Sequence, residues 1–147
     1  MPWHEYRAFY VNSMHTYTFK KTERLCSTIH INKLFHKGNR VVTQFPFRVL
    51  WLEVNEPMWA YPAQVLITVS KRNFKSGVVR NRIKRQIREF YRLNKHLLYQ
   101  VLQSRNQQII LAINYIGKSK MKHEELKPAI DKLFQKWIQQ LQAPDKL

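Results

Sequence analysis

The sequence predicts an α+β fold, a small α-β sandwich in which helices pack on a four-stranded sheet. Stretches rich in β-branched and aromatic residues supply the strands, and two stretches with apolar residues at helical spacing supply long helices. The hydrophobic content of 44% is enough for a packed core in a chain of 147 residues, a length typical of one domain. We therefore expect one domain over residues 19–142, between an N-terminal extension of residues 1–18 and a tail of residues 143–147.

The first half of the domain is predicted to form a short helix followed by three strands. Residues 27–38 begin with residue types that cap helices, carry apolar residues at helical spacing and end at a glycine. Residues 40–54 are rich in β-branched and aromatic types, and Pro46 divides them into two strands. Residues 64–70 are apolar on both faces, which predicts a strand at the centre of the sheet.

The second half is predicted to form a basic helix, a strand and an amphipathic helix. Residues 78–92 contain no proline or glycine, and a helical wheel places their apolar members within one quadrant. Residues 96–104 are predicted to continue as a second helix, and residues 106–117 as a strand that ends at a glycine turn. Residues 122–142 are apolar along one side, which predicts a helix with Pro128 in its first turn or at a kink.

The balance of charges indicates an acidic partner. The chain has 26 Lys and Arg residues against 9 Asp and Glu residues, and its formal net charge is +17. Self-repulsion at this level weakens the compact state and favours binding to polyanions. Nucleic acid is the commonest such partner, and an anionic membrane surface is the main rival.

The single cysteine and the hydropathy of the chain indicate the compartment. Cys26 is the only cysteine, so no intrachain disulfide can form and a reducing cytoplasm is the simplest location. No apolar run approaches the ~20 residues that cross a bilayer. The N-terminus has no long apolar core after a basic start, so we expect a cytoplasmic protein without a signal peptide.

The densest charge lies in the predicted basic helix. Between Lys71 and Arg92 the sequence contains nine Lys or Arg residues and one acid, Glu89. A helix that is merely solvated mixes charges of both signs and gains from pairs four residues apart. Arginine forks also suit phosphate, which they bind with two hydrogen bonds. The pattern therefore predicts a polyanion-binding face, and a lipid surface is disfavoured because Val79 and Ile83 are needed for the core.

Two sequence motifs carry a resemblance to a known family. "RNRIKRQIRE" (residues 80–89), preceded by "TVSKR" (residues 68–72) and followed by a strand and an amphipathic helix, resembles the protein subunit of bacterial ribonuclease P. "RLCSTIHINKLFHKGNRV" (residues 24–41) resembles the first helix of that family, which opens with R-L and closes with F-x-x-G. The resemblance covers roughly residues 19–137 and implies a sandwich with a left-handed βαβ crossover through the basic helix.

The resemblance implies a function as part of a ribonucleoprotein enzyme. The family joins a large catalytic RNA, and the assembly is a magnesium-dependent endonuclease that removes the 5′ leader of precursor tRNA. Catalysis and the Mg²⁺ ions belong mainly to the RNA, so we expect no catalytic residue, metal site or organic cofactor in the protein. The implied partners are the ribonuclease P RNA and precursor tRNA, without a membrane or an obligate protein partner.

The resemblance also implies which residues contact RNA. The positions that match the basic helix and the strand end of the family are Lys71, Arg72, Arg80, Asn81, Arg82, Lys84, Arg85 and Arg88. The leader is expected in a cleft between the first helix and the sheet. The candidate cleft residues are Ile31, Phe35, Phe45, Phe47 and Trp51. Phe35 matches an aromatic residue of the family, whereas Ile31 stands where the family commonly has a second phenylalanine; the three strand residues fit a core position equally well.

Other functions stay open at the level of the residues. A ribosomal or other structured-RNA-binding protein without a catalytic role would use the same basic helix. A nuclease acting alone needs paired acids, but Glu124 and Glu125 start the last helix, where negative charge suits the helix dipole. The histidines are scattered and no cysteine cluster exists, so a zinc site is not predicted. Duplex DNA recognition would call for a second helix before the basic one, and none is predicted there.

Overall fold

The computed structural model describes residues 19–36, 40–54 and 61–142. In chain order its elements are a 3-10 turn (Lys21–Glu23), α1 (Thr28–Leu34), β1 (Arg40–Gln44), β2 (Phe47–Val54), β3 (Ala63–Val69), α2 (Gly77–Ser104), β4 (Gln108–Tyr115) and α3 (His123–Gln142). The predicted α+β class is confirmed. The predicted extension of residues 1–18 and the tail of residues 143–147 lie outside the described residues.

The four strands form one mixed sheet in the order β1-β2-β4-β3. β1 and β2 form an antiparallel hairpin around Pro46, β2 and β4 are antiparallel, and β3 and β4 are parallel neighbours. Helix α2 connects β3 to β4, so the expected βαβ crossover runs through the basic helix. The hand of this crossover stays a prediction.

β3 lies at an edge of the sheet, and the prediction that this strand is central is wrong. Its apolar residues are covered on both faces, because α2 packs on one side and the cluster around Leu25 receives Leu66 on the other. Part of its outer edge is also paired, since the amide of Leu25 donates to the carbonyl of Val65 at 2.9 Å. The apolar residues on both faces of β3 are therefore explained by the layers that pack above and below the strand. They do not require a neighbouring strand on each side of it.

Two long helices cover one face of the sheet, and one short helix covers the other. α2 and α3 pack against the face that carries Trp51, and the centroid of the Trp137 ring lies 5.9 Å from that of Trp51 in this core. α1 packs against the opposite face, where Leu34 joins a small cluster with Leu50 and Ile110. The larger core therefore lies on the α2 and α3 side.

α2 is one continuous helix of 28 residues, so the predicted second helix at residues 96–104 is the continuation of the basic helix. No proline or glycine separates the two segments, and the side chain of Asn94 donates to the carbonyl of Phe90 at 2.8 Å. The helix begins at the predicted place. Ser76 is its N-cap, and the hydroxyl accepts a hydrogen bond from the amide of Val79 at 3.4 Å.

α1 and α3 lie where the sequence predicts them, but the end of α1 and the place of the proline in α3 differ from the prediction. Ser27 caps α1 as predicted, and Phe35 is the C-cap, so the helix ends earlier than the predicted residue 38. In α3, Pro128 is the sixth residue and lies beyond the first turn, so the first of its two predicted places is wrong; the alternative, a kink at Pro128, stays a prediction. Because proline has no amide hydrogen, the helix lacks one backbone hydrogen bond at this exposed position.

A buried ion pair joins the chain before α1 to the middle of α2. Glu23 is fully buried, and its carboxylate accepts hydrogen bonds from the ammonium group of Lys95 at 2.5 Å and from the hydroxyl of Tyr99 at 2.6 Å. The second carboxylate oxygen accepts the amide of Lys20 at 2.7 Å. Burial lowers the pKa of Lys95, and the contact with Glu23 opposes this shift. The pair therefore holds residues 19–26 against α2, where its charges compensate one another away from water.

Candidate nucleic-acid interface

An ordered loop leads from the end of β3 into the basic helix α2. The hydroxyl of Ser70 accepts a hydrogen bond from the amide of Arg72 at 3.1 Å. Arg80 reaches back from the start of α2, and its Nη1 donates to the carbonyls of Phe74 at 2.7 Å and Lys75 at 3.0 Å. These bonds fix the path of the loop relative to the helix.

The loop and the first turns of α2 place four of the predicted RNA-binding residues. Lys71 and Arg72 are exposed in the loop, and Asn81 is exposed on the helix. Arg80 is half-buried and uses one guanidinium nitrogen for its two bonds to the loop. Arg80 therefore holds the backbone of the loop that carries the two exposed cations, in addition to any contact of its own with a ligand.

The other predicted cations of α2 lie on two sides of the helix. Arg82 and Arg85 line a cavity of about 450 Å³ between α2 and the start of α3, and we call this side the Arg82 flank. Lys84 and Arg88 line a cavity of about 250 Å³ between α2, β3 and the chain before α1, and we call this side the Lys84 flank. Helical geometry accounts for the division, because the buried stripe through Ile83 runs between the two flanks.

Two residues of the Arg82 flank were not predicted from the sequence. Lys120 and His123 line the same cavity as Arg82. The ring of His123 stacks on that of Phe90, with centroids 4.9 Å apart and an interplanar angle of 21°. Both residues belong to "KSKMKH" (residues 118–123), in which every lysine is exposed. Lysines at alternate positions directly after a predicted strand are the sequence signal that could have identified this extension of the basic surface.

One acid lies on the exposed side of α2. Glu89 lines the Arg82 flank and forms an ion pair with Arg92, with Nη2 and Oε1 2.5 Å apart. The hydrogen bond with Arg92 lowers the pKa of Glu89, and the same bond raises the pKa of Arg92. In the part of the chain that the structure describes, no ion pair neutralises the predicted RNA-binding cations of α2.

The Lys84 flank brings like charges together. Burial lowers the pKa of Arg88, and the guanidinium groups of Arg24 and Arg85 lower it further. Arg24 was not predicted as a binding residue, and it enters this flank from the chain before α1, with its guanidinium carbon 5.7 Å from the centroid of Phe19. Cations held in this way are favourable positions for phosphate.

Three of the five predicted cleft residues are at accessible positions, although the cleft itself stays a prediction. Phe35 is the C-cap of α1 and is 49% exposed. Ile31, one turn earlier, is half-buried against the Leu34 cluster. Phe45 lies in the turn between β1 and β2 and is 61% exposed. These three side chains are available to a ligand.

The other two predicted cleft residues, Phe47 and Trp51, belong to the core, and this prediction is wrong. Their exposed fractions are 0% and 1%, and both side chains lie in the core shared with α2 and α3. Leu50 faces α1 instead, and alternation along β2 places Arg48 on the same side. The predicted assignment was therefore shifted by one residue, which in a strand exchanges the two faces.

A polar row crosses the α1 face of the sheet. The register places Arg48 between Thr43 of β1 and Asn114 of β4, with Thr68 of β3 beside Asn114. The hydroxyl of Thr68 donates to Oδ1 of Asn114 at 2.5 Å. Thr43 and Arg48 are exposed and the other two are half-buried, so the row is open to a ligand. In the sequence each of these four polar residues directly follows an apolar strand residue, which is the signal that could have identified the row.

Comparison with known proteins identifies the family. The family described as "Ribonuclease P" matches residues 19–137. The chain is a member of the ribonuclease P protein family. The ribonuclease P protein component of Porphyromonas gingivalis is 44% identical over 90 residues, which cover 61% of this chain and 64% of the length of that protein. The ribonuclease P protein component of Pseudoalteromonas translucida is 32% identical over 123 residues, covering 84% of this chain and 79% of that protein.

A solved structure shows the same fold. The Staphylococcus aureus ribonuclease P protein matches with a TM-score of 0.63 and 19% identity, covering 80% of this chain and 96% of that chain. At this identity the comparison supports the arrangement of helices and sheet in this ribonuclease P family member. Among the described residues, no helix combines the length and apolarity needed to cross a membrane.

Proposed function

We propose that this chain is the protein component of a ribonuclease P holoenzyme that removes the 5′ leader of precursor tRNA. In this proposal α2 binds the catalytic RNA and the cleft beside α1 binds the leader. The observation that carries the proposal is the pair of cationic flanks on α2, in a chain that belongs to this family. The proposed partners are the ribonuclease P RNA and precursor tRNA, in the cytoplasm.

The two flanks suit a folded RNA because they face different sides of one helix. Arg82 and Arg85 are placed to meet one stretch of phosphate backbone, and Lys84 and Arg88 are placed to meet another. Arginine binds phosphate with parallel hydrogen bonds, which fixes orientation as well as affinity. With about 6–10 phosphates contacted, affinity falls on the order of 10³–10⁵ between 50 and 200 mM salt.

The cleft beside α1 offers surfaces that suit a single strand. A base stacked on the exposed ring of Phe35 contributes ~1–3 kcal/mol, whereas Ile31 provides apolar contact without an aromatic face. Arg48 supplies a cation for the backbone, and Asn114 supplies polar atoms for a base edge. The proposal therefore places the leader across the polar row, with one base against α1.

The chemistry is proposed to belong to the RNA. Within the described residues, no group of three or more His, Cys, Asp or Glu side chains comes together in a way that fits a metal ion. Phosphate oxygens are hard ligands that suit Mg²⁺, and magnesium held by RNA would activate water for hydrolysis of the phosphodiester. The protein binds and orients the strands through the two flanks and the cleft.

The test is cleavage of precursor tRNA by a bacterial ribonuclease P RNA at low magnesium, with and without this protein. We expect accurate 5′ cleavage with the protein at a magnesium concentration where the RNA alone is inactive. The protein without RNA is the control for a nuclease acting alone. Binding of the RNA without any effect on cleavage would overturn the proposal in favour of a structured-RNA-binding protein without a catalytic role.

A further inference from the structure

The cavity on the Lys84 flank has the form of a small binding groove, which we call the Cys26 groove. Arg24 and Cys26 line one wall, Lys84 and Arg88 line the other, and Leu66 and Ile67 of β3 line its floor. Its volume is about 250 Å³, below the range of roughly 300–1,000 Å³ that drug-sized ligands occupy. The dimensions suit one flat group and exclude a duplex.

Positive charge enters the Cys26 groove from both walls. Arg24 comes from the chain before α1, and Lys84 and Arg88 come from α2. No described residue forms an ion pair with any of the three, and no carboxylate lines the groove. The three cations repel one another in the free protein. An anion that enters the groove therefore relieves this repulsion.

The floor of the groove is apolar and partly open. Leu66 and Ile67 are both half-buried, and they face opposite sides of the sheet, so the floor is the edge of β3 with Ile67 on the α2 side. Phe19 also lines the groove, and its ring is held edge-on against that of Tyr91 with centroids 5.9 Å apart. An apolar surface beside an aromatic ring and several cations is the combination that proteins use to hold an unpaired base with its phosphate.

The walls of the groove are fixed by buried contacts. The ion pair of Glu23 with Lys95 ties the wall before α1 to α2 directly beside Arg24. The amide of Leu25 donates to the carbonyl of Val65, which attaches the same wall to the edge of the floor strand. The groove is therefore formed before any ligand arrives, and a ligand does not have to order it.

We propose that the Cys26 groove holds one unpaired nucleotide of the RNA that α2 binds, with the base against the edge of β3 at Ile67 and a phosphate between Arg24 and Arg88. This inference rests on the proposed function, because it names a subsite for the same RNA. The charge on both walls, the apolar floor and the single-nucleotide dimensions carry it together.

Cys26 allows the groove to be filled without changing its charges. It is the only cysteine of the chain, and its thiol is free and exposed. Methyl methanethiosulfonate adds a small methylthio group there, and N-benzylmaleimide adds a bulky ring. We expect the bulky adduct to weaken binding of ribonuclease P RNA about tenfold, and the small adduct to have little effect. Cys26→Ser protein treated with the same reagents is the matched control.

Protection of the thiol provides a second measurement on unmodified protein. The alkylation rate of Cys26 is compared in free protein and in the complex with ribonuclease P RNA, and we expect it to fall at least tenfold in the complex. This readout decides the question even where the bulky adduct unfolds the protein. In Arg24→Ala protein the protection is expected to weaken, whereas Lys132→Ala removes an exposed cation of α3 and is expected to leave protection unchanged.

The outcomes separate this inference from the proposed function. RNA binding with an unprotected Cys26 and a harmless bulky adduct would overturn the groove assignment and leave the proposed function in place. Absence of any RNA binding by unmodified protein would overturn both. Loss of affinity on filling, together with protection that depends on Arg24, supports the nucleotide site.

Discussion

The two faces of the sheet differ in how completely helices cover them. Trp51 lies in a core with Trp137 under α2 and α3, whereas Arg48 is exposed on the face beside α1. Helices of 28 and 20 residues cover the first face, and a helix of seven residues covers the second. The closed face stabilises the fold, and the partly open face retains polar and aromatic groups for a ligand.

The largest expected change in stability comes from removing an aromatic residue of the closed face. Trp51→Ala leaves a cavity beside Trp137, and we expect the free energy of unfolding to fall by about 3–5 kcal/mol. Urea denaturation measures the change. Phe35→Ala on the open face is the control and is expected to stay within about 0.5 kcal/mol of the wild type. Equal losses at the two positions would show that the faces do not differ as described.

A comparable loss is expected when the buried ion pair is broken. Glu23→Gln removes the carboxylate that faces the buried ammonium group of Lys95, and we expect the free energy of unfolding to fall by about 3–5 kcal/mol. The measurement is again the free energy of unfolding in urea. Adding Lys95→Met to this variant is expected to restore much of the loss, because it removes the buried cation that faced Glu23. Glu89→Gln removes an exposed pairing with Arg92 and should change stability far less.

On the open face the expected effect is on substrate binding and not on stability. Phe35→Ala removes a stacking surface, so affinity for precursor tRNA with a leader should fall by about 1–3 kcal/mol. Affinity for the catalytic RNA alone, and for tRNA without a leader, should stay the same. Ile31→Phe adds an aromatic face at the neighbouring position and should change leader affinity in the opposite direction. Equal losses for both RNAs in Phe35→Ala protein would refute the cleft assignment.

The smallest expected effects belong to single cations of α2. Arg82→Ala and Arg85→Ala should each flatten the slope of log affinity for the catalytic RNA against log salt by about one unit. Filter binding over a range of salt concentrations measures the slope. Lys132→Ala removes an exposed cation of α3 outside both flanks and is the matched control. Unchanged slopes in both arginine variants would argue against α2 as the RNA-binding surface.

Several features of the fold followed from the sequence because they depend on neighbouring residues. The Ser27 cap, the division of β1 from β2 at Pro46 and the buried stripe of α2 are set by local preferences and by helical periodicity. Residues 96–104 were predicted as a second helix, but residues 93–95 contain no proline or glycine and α2 continues through them. Each of these features depends on a few neighbouring residues, so the local sequence is sufficient to predict it.

The register of β2 shows where local patterns stop being sufficient. Phe47 and Trp51 are aromatic in a strand, and this residue type suits either a core or a ligand cleft. Which face of β2 is buried depends on which face of the sheet α3 covers. That packing is set by distant residues such as Trp137. The same limit applies to β3, whose place at the edge depends on pairing with β4 and not on its own hydrophobicity.

By itself the sequence determined the order of the elements, their caps and the density of cations on α2, because periodicity, capping and charge act over a few residues. Only the tertiary structure decided which cations share a groove and which residues are buried. The pair of Glu23 and Lys95 joins residues 72 positions apart, and Arg24 meets Arg88 from a separate element. Contacts across such separations depend on how layers pack, and no periodicity in either segment encodes them.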